Sequence, residues 1–203
     1  MNHLSEEETI LMEERQNLTG QIAITAILLA ICIASQFLKN LSVYITGPIV
    51  NLCLILAVMT AGVTWAVILG VITPATAFII AASPVMSAVP GIIPLIMLGN
   101  VVLVLMVHFL FVPSISGGKP LVSVRSVSMA ILSCLAKGCV MGLTISLWLL
   151  PTFLPAQSPL RDKMPVFQKM FSLVQLITAL IGFVYFFIIW KPLTKIIKTQ
   201  EEK

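Results

Sequence analysis

One stretch of this sequence, residues 40 to 118, contains no Asp, Glu, Lys or Arg. A helix needs about 20 apolar residues to cross the hydrocarbon core of a bilayer, so this stretch fits three crossings joined by tight turns. The chain of 203 residues is 59% hydrophobic and 10% charged, against roughly 45–50% and about 25% in soluble domains. We therefore predict an all-α integral membrane protein, a compact bundle of six transmembrane helices.

Turn signals divide the chain into its predicted spans. Gly47-Pro48 precedes the second span, and four prolines between Pro151 and Pro165 indicate an irregular loop before the sixth. The spans then cover residues 21–38, 49–62, 64–82, 91–112, 124–150 and 166–190. Residues 1–19 form an N-terminal tail, 20–195 the six-helix transmembrane domain, and 196–203 a basic C-terminal tail.

Lysine and arginine residues predict the orientation, because cytoplasmic loops carry the larger number of them. With both termini in the cytoplasm, seven lie inside and four outside. The inner set is Arg15, Lys119, Arg125, Lys191, Lys195, Lys198 and Lys203, and the outer set is Lys39, Arg161, Lys163 and Lys169. We predict a multi-pass protein of the cell membrane with both termini cytoplasmic. The basic C-terminus is typical of an anchor at the membrane surface, so no nucleic-acid partner is expected.

Residues that could carry catalysis are scarce. No predicted span contains Asp or Glu, and the sequence has no HExxH, GxSxG or phosphate-binding glycine motif. The four cysteines lie in apolar segments without metal-ligand spacing. We expect no enzymatic activity, no cofactor and no bound metal. The missing carboxylates also argue against coupling to protons or sodium ions.

Polar side chains from different spans reach similar depths, between the outer surface and the middle of the membrane. A shared cavity that binds a polar small molecule would satisfy them all, whereas scattered hydrogen bonds between helices are the alternative. The candidate substrate-binding residues are Gln36, Lys39, Asn40, Asn51, Thr76, Ser83, Asn100, Lys137 and Gln175. Lys137 is the sharpest candidate, because a charge in mid-span is expensive. It could bind a substrate anion or backbone carbonyls, or extend to the interface.

Three alanines of the first span, Ala26, Ala30 and Ala34, recur every four residues on one helix face. Such a stripe of small side chains lets another helix approach closely. The partner helix could belong to this chain or to another subunit.

These residues resemble a known family. The alanine stripe, the stretch from Ser35 to Pro48, and the segments Thr73-Pro74, Ser83-Pro84 and Met97 to Asn100 are similar to S components, the substrate-binding subunits of energy-coupling factor (ECF) transporters. The resemblance covers roughly residues 20–190. It implies high-affinity binding of a vitamin or related micronutrient in an outward cavity, with residues 39–48 as a lid.

The same resemblance implies partners. An S component associates with a transmembrane coupling (T) subunit and two cytoplasmic ATPase subunits, and it topples in the membrane to release substrate when ATP is hydrolysed on those chains. By position, Ala26, Ala30 and Ala34 would form the interface with the coupling subunit.

The substrate stays open at this point. The lack of acidic groups in the spans disfavours a cationic vitamin such as thiamine, and the lysines suit a neutral or anionic ligand. Cobalamin, a flavin, a pterin or another carboxylated vitamin are candidates, and Met86, Met97 and Met141 slightly favour a large, cobalamin-like ligand. The alternative function is a non-transporting membrane scaffold or assembly subunit, which would need no cavity.

Overall fold

The computed structural model describes residues 2–38 and 42–201, with side chains for 17–38 and 42–195. Its helices are α1 (Asn2–Gln36), α2 (Val43–Thr60), α3 (Val63–Ala81), α4 (Pro84–Ala88), α5 (Ile92–Met106), α6 (Val112–Ile115), α7 (Val124–Met141), α8 (Leu150–Phe153), α9 (Met164–Phe171) and α10 (Leu173–Glu201). Within the described residues, six segments are long and apolar enough to cross a membrane. They are Asn17–Gln36, Val43–Thr60, Val63–Ala81, Ile92–Ile115, Val124–Phe153 and Arg161–Lys195. The prediction of an all-α six-helix bundle is confirmed.

The second span begins earlier than the sequence predicts. The Ser42 hydroxyl caps α2 by accepting a hydrogen bond from the Tyr44 amide, and Gly47-Pro48 lies inside the helix rather than in a loop. The turn prediction for this dipeptide is therefore wrong. Pro48 is the sixth residue of α2, so it cannot donate the helical hydrogen bond to the Tyr44 carbonyl one turn earlier. The connection between the first two spans is accordingly shorter than the predicted lid of residues 39–48.

The fourth and fifth spans share an irregularity. A π-helical segment, Val107–Phe111, joins α5 to α6, and another, Gly142–Leu149, joins α7 to α8. A proline, Pro113 or Pro151, follows each segment near the start of the next α-helical turn. Proline cannot donate the hydrogen bond of a regular turn, and a wider turn absorbs this defect without ending the helix. The fifth span therefore continues through Pro151 to Phe153, where the sequence predicts a loop.

The sixth span is broken near its beginning. Helix α9 ends at Phe171, Ser172 has a non-helical backbone (φ −118°, ψ −83°), and α10 starts at Leu173. The irregular loop predicted from Pro151 to Pro165 is helical at both ends, through Phe153 and again from Arg161, where a short 3-10 turn leads into α9. Ser146 in the fifth span holds α9 in place. Its hydroxyl donates to the backbone carbonyl of Gln168, and the side-chain amide of Gln168 donates to the backbone carbonyl of Ser146.

Two apolar clusters occupy the interior. The larger contains Leu28, Leu103 and Cys134, and the smaller contains Ile92 and Met141. Along the fourth span Asn100 lies between Ile92 and Leu103, and along the fifth Lys137 lies between Cys134 and Met141. A polar layer therefore separates the clusters. The smaller cluster marks the end of the bundle opposite the chain termini, which we call the distal end.

Candidate functional site

A cavity of about 310 Å³ lies between the spans toward the distal end. Its walls come from the C-terminal ends of α1 and α3, the segment around α4, the N-terminal parts of α2 and α5, the middle of the fifth span and the beginning of the sixth. Six predicted substrate-binding residues line it: Gln36, Asn51, Ser83, Asn100, Lys137 and Gln175. Ligand pockets in proteins commonly measure about 300–1,000 Å³, so this one suits a small molecule.

Lys137 joins three spans at the floor of this cavity. Its side chain is only 2% exposed. The ammonium Nζ donates to Asn51 Oδ1 at 2.6 Å and to Asn100 Oδ1 at 2.8 Å, from the second and fourth spans. A lysine at the centre of a membrane helix costs about 2.5–3.5 kcal/mol on insertion scales. Two hydrogen bonds from a charged donor, each worth about 1.5–3 kcal/mol, offset that cost.

Asn100 is held in place by a proline in the neighbouring span. Pro74 lies inside α3 and has no amide hydrogen, so it cannot bond the Gly70 carbonyl one turn earlier. The Asn100 Nδ2 donates to this carbonyl at 3.0 Å. Because a carbonyl only accepts, this contact turns the Asn100 oxygen toward Lys137. Because Gly70 has no side chain, the third and fourth spans can pack closely; a Cβ at this position would lie 3.3 Å from Asn100 Cβ.

Asn51 is oriented from the sixth span. Its Nδ2 donates to Thr178 Oγ1 at 3.4 Å, and Thr178 donates in turn to the Gln175 carbonyl at 3.1 Å. Two glycines permit this contact between the second and sixth spans. A Cβ on Gly47 would lie 2.7 Å from Thr178, and one on Gly182 would lie 2.9 Å from Asn51. The backbone approach that glycine allows therefore sets the position of the Asn51 oxygen.

Gln36 closes the cavity from the first span and is 1% exposed. Its Nε2 donates to the Thr73 carbonyl at 3.1 Å and to Thr76 Oγ1 at 3.0 Å. Both hydrogens of the amide are thus used. The Oε1 atom is buried without a hydrogen-bond partner among the described residues. A buried acceptor without a partner costs about 1–3 kcal/mol.

The remaining predicted residues lie elsewhere. Thr76 reaches the site through its hydrogen bond with Gln36 and does not line the cavity. Lys39 and Asn40 lie outside the described residues. Of the three methionines expected at the substrate, Met86 lines the cavity, whereas Met97 and Met141 do not.

Sequence reasoning missed several residues of the site. Thr46 and Phe171 line the cavity, and Thr178 orients Asn51. The Thr46 hydroxyl also donates to the Ser35 carbonyl at 3.2 Å, which ties the second span to the first. Thr46 went unassigned because it falls in the segment predicted to be a loop. Thr178 had a usable signal, since it lies one helical turn beyond Gln175 and so on the same face of α10.

The alanine stripe faces outward. Ala26, Ala30 and Ala34 are all exposed, as are Ile27 and Ile31 beside them. Among the described residues, the stripe therefore does not pack against another helix of this chain. The first span contacts mainly the second and third, on its opposite side.

Comparison with family models, with curated proteins and with solved structures finds no match to this chain. The cavity, the polar layer and the exposed stripe are therefore the features of this chain that indicate a function.

Proposed function

We propose that this chain is the high-affinity, membrane-embedded substrate-binding subunit of an ECF-type importer for a vitamin or related micronutrient. The observation that carries the proposal is the distal cavity, which is lined by polar residues from all six spans. A bundle that only needed internal hydrogen bonds would also fill the space beside its paired polar groups, whereas about 310 Å³ is open here.

The exposed alanine stripe supports a partner subunit. Alanine offers little apolar surface to lipid but lets a facing helix approach closely. Under the proposal, Ala26, Ala30 and Ala34 contact the transmembrane coupling subunit, two ATPase subunits supply the energy, and the bundle topples to release its substrate. No substrate residue lies in the stripe, so binding and coupling would use different faces of the first span.

The cavity volume bears on the substrate. About 310 Å³ corresponds to roughly ten water molecules of liquid, and a corrinoid is several times larger than this. The preference for a cobalamin-like ligand stays a prediction, but the volume favours the smaller vitamins.

Native mass spectrometry of the detergent-purified protein tests the proposal. We expect one retained small molecule per chain after purification from cells grown in rich medium. Ala77→Phe places a ring in the cavity, whose wall includes Ala77, and should reduce retention about tenfold or more. Ala23→Phe is the matched control, because Ala23 is exposed on the first span.

The outcomes separate the two candidate functions. Retention by wild type and Ala23→Phe, with loss in Ala77→Phe, supports a substrate-binding subunit. A well-folded wild type that retains nothing, and whose thermal stability no vitamin raises, would instead favour the membrane scaffold or assembly subunit.

A further inference from the structure

The buried lysine of the cavity has no acidic partner among the residues whose side chains the structure describes. Between residues 15 and 161 the sequence contains no Asp or Glu, and Asp162 is exposed at the start of the sixth span. Both acceptors of Lys137 are neutral amide oxygens. An ammonium has three N–H groups, of which these contacts use two. The site thus offers a charge, and one donor, to whatever occupies the cavity.

Gln36, in contrast, has an acceptor atom that lacks a donor. The partners of its Nε2 fix the orientation of the amide, since the Thr73 carbonyl can only accept. Oε1 is therefore the free atom, and it lacks a donor among the described residues. Both Gln36 and Lys137 line the cavity and are at least 98% buried. Among the described residues, the wall of the cavity thus contains one unmatched cation and one buried, unmatched acceptor.

We infer that the substrate is a small organic acid that also carries an N–H or O–H donor, with its carboxylate at Lys137 and its donor at Gln36 Oε1. The inference rests on the proposed function and names the substrate class. The cavity volume limits such an acid to roughly 10–16 non-hydrogen atoms. Its remaining surface is apolar, because Val50, Pro74 and Ile96 are among the other lining residues.

Matched acids and neutral analogues test the charge. The probes are biotin with biotinamide and pantothenate with panthenol, each acid having donors and a suitable size. Nicotinate is added as an acid without a donor. Binding to the purified protein is measured by calorimetry, and a compound retained from cells is identified by mass. We expect a donor-bearing acid to bind, and to bind about thirtyfold or more tightly than its neutral analogue.

Two variants assign the preference to its residues. Lys137→Gln keeps an N–H donor for the asparagines but removes the charge, so the preference for acid over neutral analogue should vanish. Gln36→Met removes the acceptor. Methylation of the donor group of the bound acid should therefore weaken binding to the wild type several-fold but leave binding to Gln36→Met unchanged. A purely structural role of either residue would lower affinity for all analogues alike.

The results distinguish two failures. Tight binding of a neutral or cationic compound, or of an acid without a donor, overturns the inference while the proposed function stands. An acid preference unchanged in Lys137→Gln also overturns it. If no probe binds and no compound is retained, both the inference and the proposed function fail.

Discussion

The contact between Asn100 and the Gly70 carbonyl exists because Pro74 leaves that carbonyl without its helical donor. Replacing Asn100 by Leu should therefore remove more stability when residue 74 is proline than when it is alanine. In the Pro74→Ala background, the amide N–H gained at position 74 donates to the Gly70 carbonyl within α3. The loss of Asn100 then no longer leaves this carbonyl without a donor.

The size of this coupling follows from the groups involved. Asn100→Leu removes the acceptor of Lys137 in both backgrounds, so that cost cancels in a double-mutant cycle. The two backgrounds differ only in whether Asn100→Leu leaves the Gly70 carbonyl without a donor, which costs about 1–3 kcal/mol in soluble proteins. Hydrogen bonds between membrane helices average about 0.6 kcal/mol and reach about 1.7 kcal/mol. We expect a coupling energy of about 1 kcal/mol, a factor of roughly five in the folding equilibrium.

The assay is equilibrium unfolding in mixed micelles of mild detergent and dodecyl sulfate, for wild type, the two single variants and the double variant. Pro192→Ala serves as the control, because Pro192 lies near the end of α10 and should show no coupling with Asn100→Leu. A coupling energy of zero between positions 74 and 100 would refute the idea that Asn100 serves the carbonyl freed by the proline.

Three further predictions concern packing, coupling and orientation. Gly182→Ala should destabilise the bundle by about 1–3 kcal/mol in the same unfolding assay and abolish binding of the retained molecule, whereas Gly20→Ala, with open space around its Cβ, should do neither. Ala30→Trp should leave binding by the purified protein intact but stop uptake in cells with the complete importer, and loss of binding would contradict an interface role. Single cysteines at Ser5 and Thr199, in a background without native cysteines, should resist an impermeant reagent in intact cells, and labelling of both would reverse the predicted orientation.

The number and class of the spans could be predicted because apolar length decides them, whatever the neighbouring helices do. Helix ends were less predictable where proline is involved. Gly47-Pro48 and Pro151 are turn signals in soluble chains, yet both lie inside helices here. In a membrane an open loop leaves backbone groups without partners, so the chain continues the helix through proline and absorbs the defect with a π-turn or a neighbouring side chain.

The polar residues of the site could be predicted, but their partners could not. Depth along the spans indicated that Asn51, Asn100 and Lys137 lie at one level. The rotation of each helix decides whether such residues meet, and the sequence pattern of an almost uniformly apolar span carries little information about rotation. Small residues such as Gly70 and Gly182 set it here by close approach.

The hydrogen bonds of Lys137 also have a consequence for biosynthesis. Its two acceptors, Asn51 and Asn100, belong to spans that leave the ribosome before the fifth, which has the lowest mean hydropathy of the six. When the lysine reaches the membrane, both amide oxygens are already there to receive it. The order of the spans along the chain thus lets earlier helices assist the insertion of a weakly hydrophobic one. A circular permutation that placed the fifth span first would therefore insert it poorly.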